Sequence, residues 1–196
     1  MQQIRSQMET NFFGALAVTK GAIPFFREQR HGTIVMISSA SALTGTPSQS
    51  LYSASKFALE GASESLAEEL KPFGIRILVV EPGAFRTNFQ SAVEKPEGVM
   101  SEAYRGTTAD LTAQRITAGH GRQDGDPVKA AKAIVDVVTG QGAGKDLQGV
   151  FRLLLGKDAV VRAHVKIKSL MEDTENTTSI SNWASFNEAW DGYPPL

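Results

Sequence analysis

The sequence predicts an α/β protein with a parallel sheet, because strand-like runs alternate with helical patterns along the chain. Residues 33–37 (Thr-Ile-Val-Met-Ile) and 75–80 (Ile-Arg-Ile-Leu-Val-Val) are short, nearly unbroken stretches of β-branched and aliphatic residues. Such runs are typical of parallel strands that are covered on both faces. Helical patterns precede, separate and follow the two runs, and this alternation indicates a parallel sheet.

The first part of the chain is predicted to form a long helix followed by a strand. Apolar residues recur at three- and four-residue spacing over residues 3–30, as on one face of a helix. His31 and Gly32 break the pattern before the strand at 33–37. Residues 38–50 are small, polar and glycine-containing, and we expect a loop there.

A second helix and strand follow directly. Residues 51–71 carry a helical pattern that Pro72 and Gly74 stop. The strand at 75–80 then ends at residues 81–83 (Glu-Pro-Gly), which predict a sharp turn. In parallel sheets, sites gather beyond the carboxyl ends of the strands, so the loops after residues 37 and 80 are where chemistry is expected.

The remaining elements are less regular. Residues 84–125 are mixed in pattern and predict a long excursion with short helices. Asp126 followed by Pro127 predicts the start of a helix, with an N-cap residue before a proline at the first helical position. A third strand is predicted over residues 149–155 and a last helix over residues 157–171.

Composition excludes several classes of protein. The chain has 196 residues, which is the size of about one domain, and its 41% of hydrophobic residues excludes a disordered chain. A net charge of −1 provides no electrostatic attraction to nucleic acid or to an anionic membrane. With no cysteine, disulfide and thiolate chemistry are excluded. No membrane-spanning run and no secretory signal are recognisable, so a cytoplasmic protein is expected.

Candidate catalytic residues lie at the start of the second helix. Tyr52 and Lys56 are four residues apart and share one helical face. At about 5 Å and an effective dielectric constant of about 20, two unit charges interact by about 3 kcal/mol. Lys56 is therefore expected to lower the pKa of the Tyr52 phenol by roughly two units, which would suit a general acid/base near neutral pH.

Two further polar residues are expected to converge on Tyr52. Ser39 follows the first strand and offers a hydroxyl, and Asn11 in the first helix offers an amide that can hold a water. Taken singly, these features are ordinary: a surface pair on a helix, a turn serine and a polar helix face. Their occurrence together, with Glu-Pro-Gly after the second strand, favours a catalytic site.

This combination of segments resembles the classical short-chain dehydrogenase/reductase family. The matching segments are Asn11-Phe12-Phe13-Gly14, Ile37-Ser38-Ser39, Tyr52-Ser53-Ala54-Ser55-Lys56 and Pro82-Gly83-Ala84-Phe85-Arg86-Thr87. The resemblance is strong over residues 1–90 and weaker afterwards, although residues 149–159 still fit the last strand of the family. It implies the C-terminal part of a Rossmann-like doubly wound sheet, with about three strands remaining. It also implies hydride transfer between NAD or NADP and a small-molecule carbonyl or alcohol.

The resemblance assigns a role to each candidate residue. Tyr52 would exchange a proton with the substrate oxygen, while Ser39 would hydrogen-bond that oxygen. Lys56 would lower the pKa of Tyr52 and hold the hydroxyls of the nicotinamide ribose. Asn11 would hold a water that connects Lys56 to solvent.

The loop after the second strand is implied to cradle the nicotinamide. Its cofactor-binding residues would be Pro82, Gly83, Phe85 and Thr87, with Phe85 and Thr87 at the positions that bind the carboxamide. Phenylalanine is less usual there than a small aliphatic residue. No metal site is expected, because the three histidines lack metal-ligand spacing.

The family's first strand, glycine-rich turn and helix, which bind the dinucleotide phosphates, have no counterpart here. The glycine-rich segments 119–125 and 140–146 have the wrong spacing and context for phosphate binding. About three βα units, on the order of 90–100 residues, are therefore expected to be missing. The sequence predicts a C-terminal catalytic portion over residues 1–171, a polar tail over 172–196, and an exposed edge at the first strand.

These expectations describe a truncated chain with impaired oxidoreductase activity, and the choice between NAD and NADP is not readable from it. The alternatives are a non-catalytic fragment without dinucleotide binding and an interaction module. The module would use helix faces that the family uses for oligomers, so a homo-oligomer is one expected assembly. In the tail, Trp183, Phe186 and Trp190 recur at three- and four-residue spacing and are expected to dock on the domain, the alternative being a partner subunit.

Overall fold

The computed structural model describes residues 2–92 and 100–186, which form a three-stranded parallel sheet with helices on both faces. The strands are β1 (Gly32–Ile37), β2 (Ile75–Pro82) and β3 (Arg152–Leu155), in the order β1-β2-β3. Both neighbouring pairs are parallel, with Ile34 opposite Ile77. The predicted α/β class with a parallel sheet is confirmed, and β1 forms one edge of this sheet.

Seven α-helices are described in these two ranges. They are α1 (Gln2–Met8), α2 (Gly14–Gln29), α3 (Ser50–Leu70), α4 (Phe89–Ala92), α5 (Thr108–Ala118), α6 (Pro127–Thr139) and α7 (Lys157–Trp183). A π-helical turn, Glu9–Phe13, joins α1 to α2, so the predicted first helix contains one wider turn. The predicted start of α6 is confirmed, because the Asp126 carboxylate accepts hydrogen bonds from the first free N–H groups of the helix.

The core consists of two apolar clusters on opposite faces of β2. Ile77 and Val79 face α3 and pack with Leu59, whereas Leu78 and Val80 face α6. Because successive side chains of a strand point to opposite faces, one unbroken apolar run supplies both clusters. This burial on both sides explains why the run has no polar alternation.

The third strand begins later than predicted. Residues 149–155 were expected to be extended, but β3 starts at Arg152. Carbonyl groups just before β3 are hydrogen-bonded to a side chain. The guanidinium of Arg76 donates to the carbonyl oxygens of Leu147 and Val150. A turn therefore occupies the first part of the predicted strand, with the Val150 N–H bonded to the Leu147 carbonyl oxygen.

The last helix is longer than predicted. It was expected to end at residue 171 but runs to Trp183, so the first half of the predicted polar tail is helical. Trp183 is 82% exposed and Phe186 is 96% exposed, so these two aromatic side chains are not docked on the domain as expected. Trp190 lies outside the described residues. In the described ranges, no helix combines the length and apolar character needed to cross a bilayer.

Candidate active site

The residues predicted for catalysis and cofactor binding line one cleft at the carboxyl ends of the strands. The cleft has a volume of about 1130 Å³. Its walls include Asn11, Ser39, Tyr52, Lys56, Pro82, Gly83, Phe85 and Thr87. The crevice beyond the carboxyl ends of parallel strands is where ligands bind in open α/β sheets.

Tyr52 lies in the first turn of α3, with its ring beside that of Phe89. The two ring centres are 5.7 Å apart. Burial raises the pKa of the Tyr52 phenol above its ordinary value, while a hydrogen bond with Ser39 acts in the opposite direction. The prediction of a lowered pKa is therefore wrong in sign, because removing the phenol from water outweighs the favourable contacts.

Lys56 is not among the groups that lower the pKa of Tyr52, contrary to what the spacing predicted. Its Nζ donates to the carbonyl oxygen of Ile37 at 2.9 Å and lies 5.9 Å from the centre of the Tyr52 ring. Burial lowers the pKa of Lys56, and the negative charge of Glu60 partly restores it. The ammonium is thus fixed at the end of β1.

Ser39 is held by the turn that follows β1. Its backbone is extended, and its Oγ accepts a hydrogen bond of 3.1 Å from the N–H of Ser41. The N–H of Ser38 donates to the carbonyl oxygen of Val80 at 2.8 Å, which continues the pairing of β1 with β2 by one residue. The serine hydroxyl therefore has a defined position at the floor of the cleft.

Asn11 lies in the π-helical turn and is tied to α3. Its Nδ2 donates to the Oγ of Ser55 at 3.1 Å, and that Oγ donates to the carbonyl oxygen of Tyr52 at 2.7 Å. Single π-helical turns inside α-helices are frequent at functional sites. The extra residue in this turn brings the Asn11 amide to the helix that carries Tyr52 and Lys56.

The loop after β2 is held by the start of α7. The N–H of Ala84 donates to a carboxylate oxygen of Asp158 at 2.8 Å, and the N–H of Gly83 donates to the carbonyl oxygen of Leu155 at 2.8 Å. A Cβ on Gly83 would clash with the carboxylate of Asp158, so a larger residue at this position would displace that carboxylate. Pro82 ends the strand directly before this contact.

The second half of the loop is held from its other side. Phe85 forms an isolated bridge with Gly125, and the N–H of Arg86 donates to the Gly125 carbonyl oxygen at 3.0 Å. The Oγ1 of Thr87 accepts a hydrogen bond of 3.2 Å from the N–H of Phe89. Phe85 and Thr87 thus border the cleft on a segment that is fixed at both ends.

Three residues that shape the cleft were not found from the sequence. Glu60 accepts a hydrogen bond from Ser38, Asp158 holds the loop after β2, and Arg162 donates to the hydroxyls of Thr44 and Thr46. A signal existed for Glu60, which follows Lys56 by one helical turn. The contacts of Asp158 and Arg162 join segments more than 70 residues apart and have no local pattern.

The donor set of the cleft fits the nicotinamide end of a dinucleotide. The Tyr52 hydroxyl, the Lys56 ammonium and the Thr87 hydroxyl border one open space, and each can hydrogen-bond ribose or amide groups. The glycine-rich segment at 140–146 does not fit a phosphate, because it packs against the carboxylate of Asp136 and the backbone beside it. Across the described ranges, no three His, Asp or Glu side chains come together to hold a metal ion.

Comparison with known proteins gives consistent matches. The family model described as short chain dehydrogenase matches residues 1–98. "Oxidoreductase claN" of Passalora fulva is 57% identical over 113 residues, which cover 58% of this chain and 51% of that protein. This chain spans only 33% to 51% of the length of several curated relatives that it matches.

Solved structures show the same fold. A short-chain dehydrogenase from Streptomyces avermitilis superposes with a TM-score of 0.79 at 34% identity, covering 95% of this chain and 65% of that one. A short chain dehydrogenase from Burkholderia cenocepacia, solved in complex with NADP, superposes with a TM-score of 0.62 at 21% identity. That match covers 88% of this chain and 58% of the other.

Proposed function

The chain belongs to the short-chain dehydrogenase family, and from this premise we propose that it carries the proton-transfer and nicotinamide-binding part of an NAD(P)-dependent oxidoreductase site. The reaction would interconvert a small-molecule carbonyl compound and the corresponding alcohol. The observation that carries the proposal is the placement of Tyr52, Ser39 and Lys56 around one cleft, at the ends of β1 and β2.

Tyr52 is proposed as the general acid/base. Its raised pKa keeps the phenol protonated at neutral pH, which suits donation of a proton to a carbonyl oxygen during reduction. Ser39 hydrogen-bonds this phenol and would also hydrogen-bond the substrate oxygen that receives the proton. In the opposite direction, the pair would remove the proton of an alcohol, and this direction would be favoured at higher pH.

Lys56 is proposed to bind the cofactor ribose and to carry charge near the reacting oxygen. Its partly desolvated ammonium is held at the end of β1 by a single backbone carbonyl, which leaves further donors of the ammonium for a ligand. Asn11, in the π-helical turn, is proposed to hold a water on the route from Lys56 to solvent.

The loop with Pro82, Gly83, Phe85 and Thr87 is proposed to hold the nicotinamide ring. When bound, NAD(P) supplies or accepts the hydride. The family and the NADP complex of a structural neighbour support this cofactor class. Fixation of the loop by Asp158 and Gly125 supports a preformed nicotinamide platform, because its backbone does not need to be ordered by the ligand.

A non-catalytic role in association is the second candidate. It is favoured by apolar side chains that stand exposed on α2 and at the end of β1: Val18, Phe25 and Ile37. An exposed apolar edge of a sheet invites pairing with another chain. This role would require no NAD(P) binding, and cofactor titration therefore separates the two candidates.

The first test is a titration of the purified chain with NADH and NADPH, in which isothermal calorimetry measures the binding. Binding of the nicotinamide end alone predicts weak affinity that Lys56→Ala reduces further. If neither cofactor binds, or if Lys56→Ala leaves the affinity unchanged, the non-catalytic candidate would be favoured. An exposed lysine on α6, Lys129, provides the matched control through Lys129→Ala.

The second test measures catalysis in a chimera. Residues 2–183 replace the corresponding part of the Streptomyces avermitilis enzyme, which supplies the portion that this chain does not span. We expect reduction of simple ketones, and Tyr52→Phe should lower kcat by about 10²–10⁴-fold with little change in the Kd for NAD(P)H. Tyr104→Phe, at an exposed tyrosine, is the control. A Tyr52→Phe chimera within a few-fold of its parent would contradict the assignment.

A further inference from the structure

We propose that Glu60 is a positioning residue of the site, which holds Ser38 and thereby Ser39 against Tyr52, with Arg152 and the buried Glu81 as its partners. The inference rests on the proposed function for the roles of Ser39 and Tyr52. It concerns residues that lie one layer behind the cleft, between α3 and the ends of the three strands.

The first step is the contact between α3 and the end of β1. The hydroxyl of Ser38 donates to Oε1 of Glu60 at 2.5 Å, and both side chains are buried. A hydrogen bond to an ionised carboxylate is among the stronger ones in proteins, and short distances are typical of it. The Ser38 N–H is also bonded to Val80, so this residue is held by backbone and side chain together.

The second step is the network that keeps Glu60 in place. The guanidinium of Arg152 lies 3.5 Å from Oε2 of Glu60, 2.9 Å from Oε1 of Glu81 and 2.5 Å from Oε1 of Glu64. Glu81 is fully buried at the end of β2, whereas Glu64 is largely exposed. One cation thus joins carboxylates from α3 and β2 at the level of Ser38.

The third step is the charge balance in this layer. Two buried carboxylates, Glu60 and Glu81, face one guanidinium, and Lys56 is the other cation near Glu60. Burial and the charge of Glu60 raise the pKa of Glu81 to about 7. The carboxyl of Glu81 is thus placed against both Glu60 and Arg152, while Oε1 of Glu60 accepts the hydrogen bond from Ser38.

The fourth step connects the network to the cleft. Ser38 and Ser39 are consecutive, and successive side chains of an extended backbone point in opposite directions. When the Ser38 side chain is anchored to Glu60 behind the sheet, the Ser39 hydroxyl is directed into the cleft, where it hydrogen-bonds Tyr52. Burying such a charged network costs free energy, so a role in alignment accounts for its place beside the site.

The test is a double-mutant cycle read by NMR on the full chain, with no turnover required. Tyrosine labelled with carbon-13 at Cζ gives one signal for each of the three tyrosines, and the Tyr52 signal reports the hydrogen bonding and ionisation of its phenol. Ser39→Ala removes the hydroxyl directly and defines the full change in the Tyr52 signal. We expect Ser38→Ala to shift this signal in the same direction, and the double variant to add little to Ser39→Ala.

Variants on α3 separate alignment from simple loss of structure. Glu60→Gln keeps an oxygen that can accept from Ser38 and should move the Tyr52 signal less than Glu60→Met, which has no such acceptor. Glu64→Gln removes an exposed partner of Arg152 and should leave the signal unchanged. Urea unfolding of each variant shows whether the substitution disturbs the fold.

Two results would overturn the inference. One is an unchanged Tyr52 signal in Ser38→Ala when Ser39→Ala shifts it, and the other is full additivity in the double variant. A chain that shows the expected cycle but whose chimera reduces no ketone would refute the proposed function alone. A chimera that is active without the cycle would refute only the positioning role of Glu60.

Discussion

The strands β1 and β2 have similar apolar sequences but very different surroundings. In β2, Leu78, Val79 and Val80 are each 0% exposed, whereas Ile37 at the end of β1 is 50% exposed. The difference arises because β2 has a strand on each side and a helix on each face, while β1 is the edge of the described sheet. Burial is therefore decided by the neighbours of a strand and not by its composition.

Both strands nevertheless contribute to the site. The end of β1 provides the carbonyl of Ile37 and the two serines that follow it, and the end of β2 provides Glu81 and the loop from Pro82. The site thus joins a well-covered strand to an edge strand. The predictions below use this contrast, from the largest expected effect to the smallest.

The largest effect is expected at the centre of β2. Leu78→Ala removes a fully buried side chain and should lower the free energy of unfolding by about 2–5 kcal/mol. Urea unfolding followed by circular dichroism measures this change. Leu170→Ala, at a half-exposed position on α7, is the matched control and should change stability by less than about 1 kcal/mol. Equal losses at the two positions would contradict the contrast in burial.

A pH-dependent effect is expected from Glu81. Its folded-state pKa of about 7 lies above the ordinary value of 4.5, so the folded chain keeps a proton that the unfolded chain has released between these values. The stabilisation from this group is complete below the unfolded pKa and is lost as pH rises through about 7. We expect the free energy of unfolding to fall by about 1–3 kcal/mol across this window.

The Glu81→Gln variant tests this expectation, because glutamine has nearly the same shape and no charge. Urea unfolding at several pH values should show a smaller decline in stability for Glu81→Gln than for the parent chain. Glu64→Gln, which changes the exposed partner of Arg152, should retain the decline of the parent. A parent-like decline in Glu81→Gln would show that another group is responsible.

A smaller effect is expected at the edge strand. Ile37→Ala should cost about 1 kcal/mol, because half of the side chain is already in water and strand preferences span about that much. The measurement is the same urea unfolding as for Leu78→Ala, and the ratio of the two losses expresses the contrast between the strands. A loss as large as that of Leu78→Ala would indicate that β1 is covered in solution, for example by a second chain.

The smallest effect is expected in association. Thr33→Lys places a charge on the edge strand, and like charges meeting across paired edges oppose pairing by roughly 0.2–1 kcal/mol. Sedimentation velocity over a range of concentrations should show association weakened by about two- to fivefold. The control is Thr117→Lys on exposed α5, which leaves the edge unchanged. Association that is insensitive to Thr33→Lys would place the contact elsewhere.

Local pattern predicted the elements whose formation depends on nearby residues. The strands β1 and β2 followed from their apolar runs, and the start of α6 followed from Asp126 and Pro127. The spacing of Tyr52 and Lys56 indicated one helical face, and the topology of a parallel sheet indicated that Ser39 would meet them at its carboxyl end. These expectations needed no knowledge of distant contacts.

What could not be predicted depends on desolvation and on contacts between distant segments. The pKa of Tyr52 was expected to fall because Lys56 is near in sequence, but burial has the larger effect and no spacing reports it. The start of β3 depends on Arg76, which is on another strand. The length of α7 was missed because a helix without an apolar face packed on the domain has no periodic signal after residue 171.

The π-helical turn between α1 and α2 makes the first helix sensitive to residue number as well as to residue type. A regular helix advances about 100° per residue, so one residue more or fewer rotates everything beyond it by that angle. The wide turn absorbs one such extra residue, so deleting one residue from Glu9–Phe13 would restore a regular helix whose two halves stay in phase, but the bulged position would be lost. Asn11, or the residue that replaced it, would then turn away from Ser55, although every side chain named in the site was still encoded.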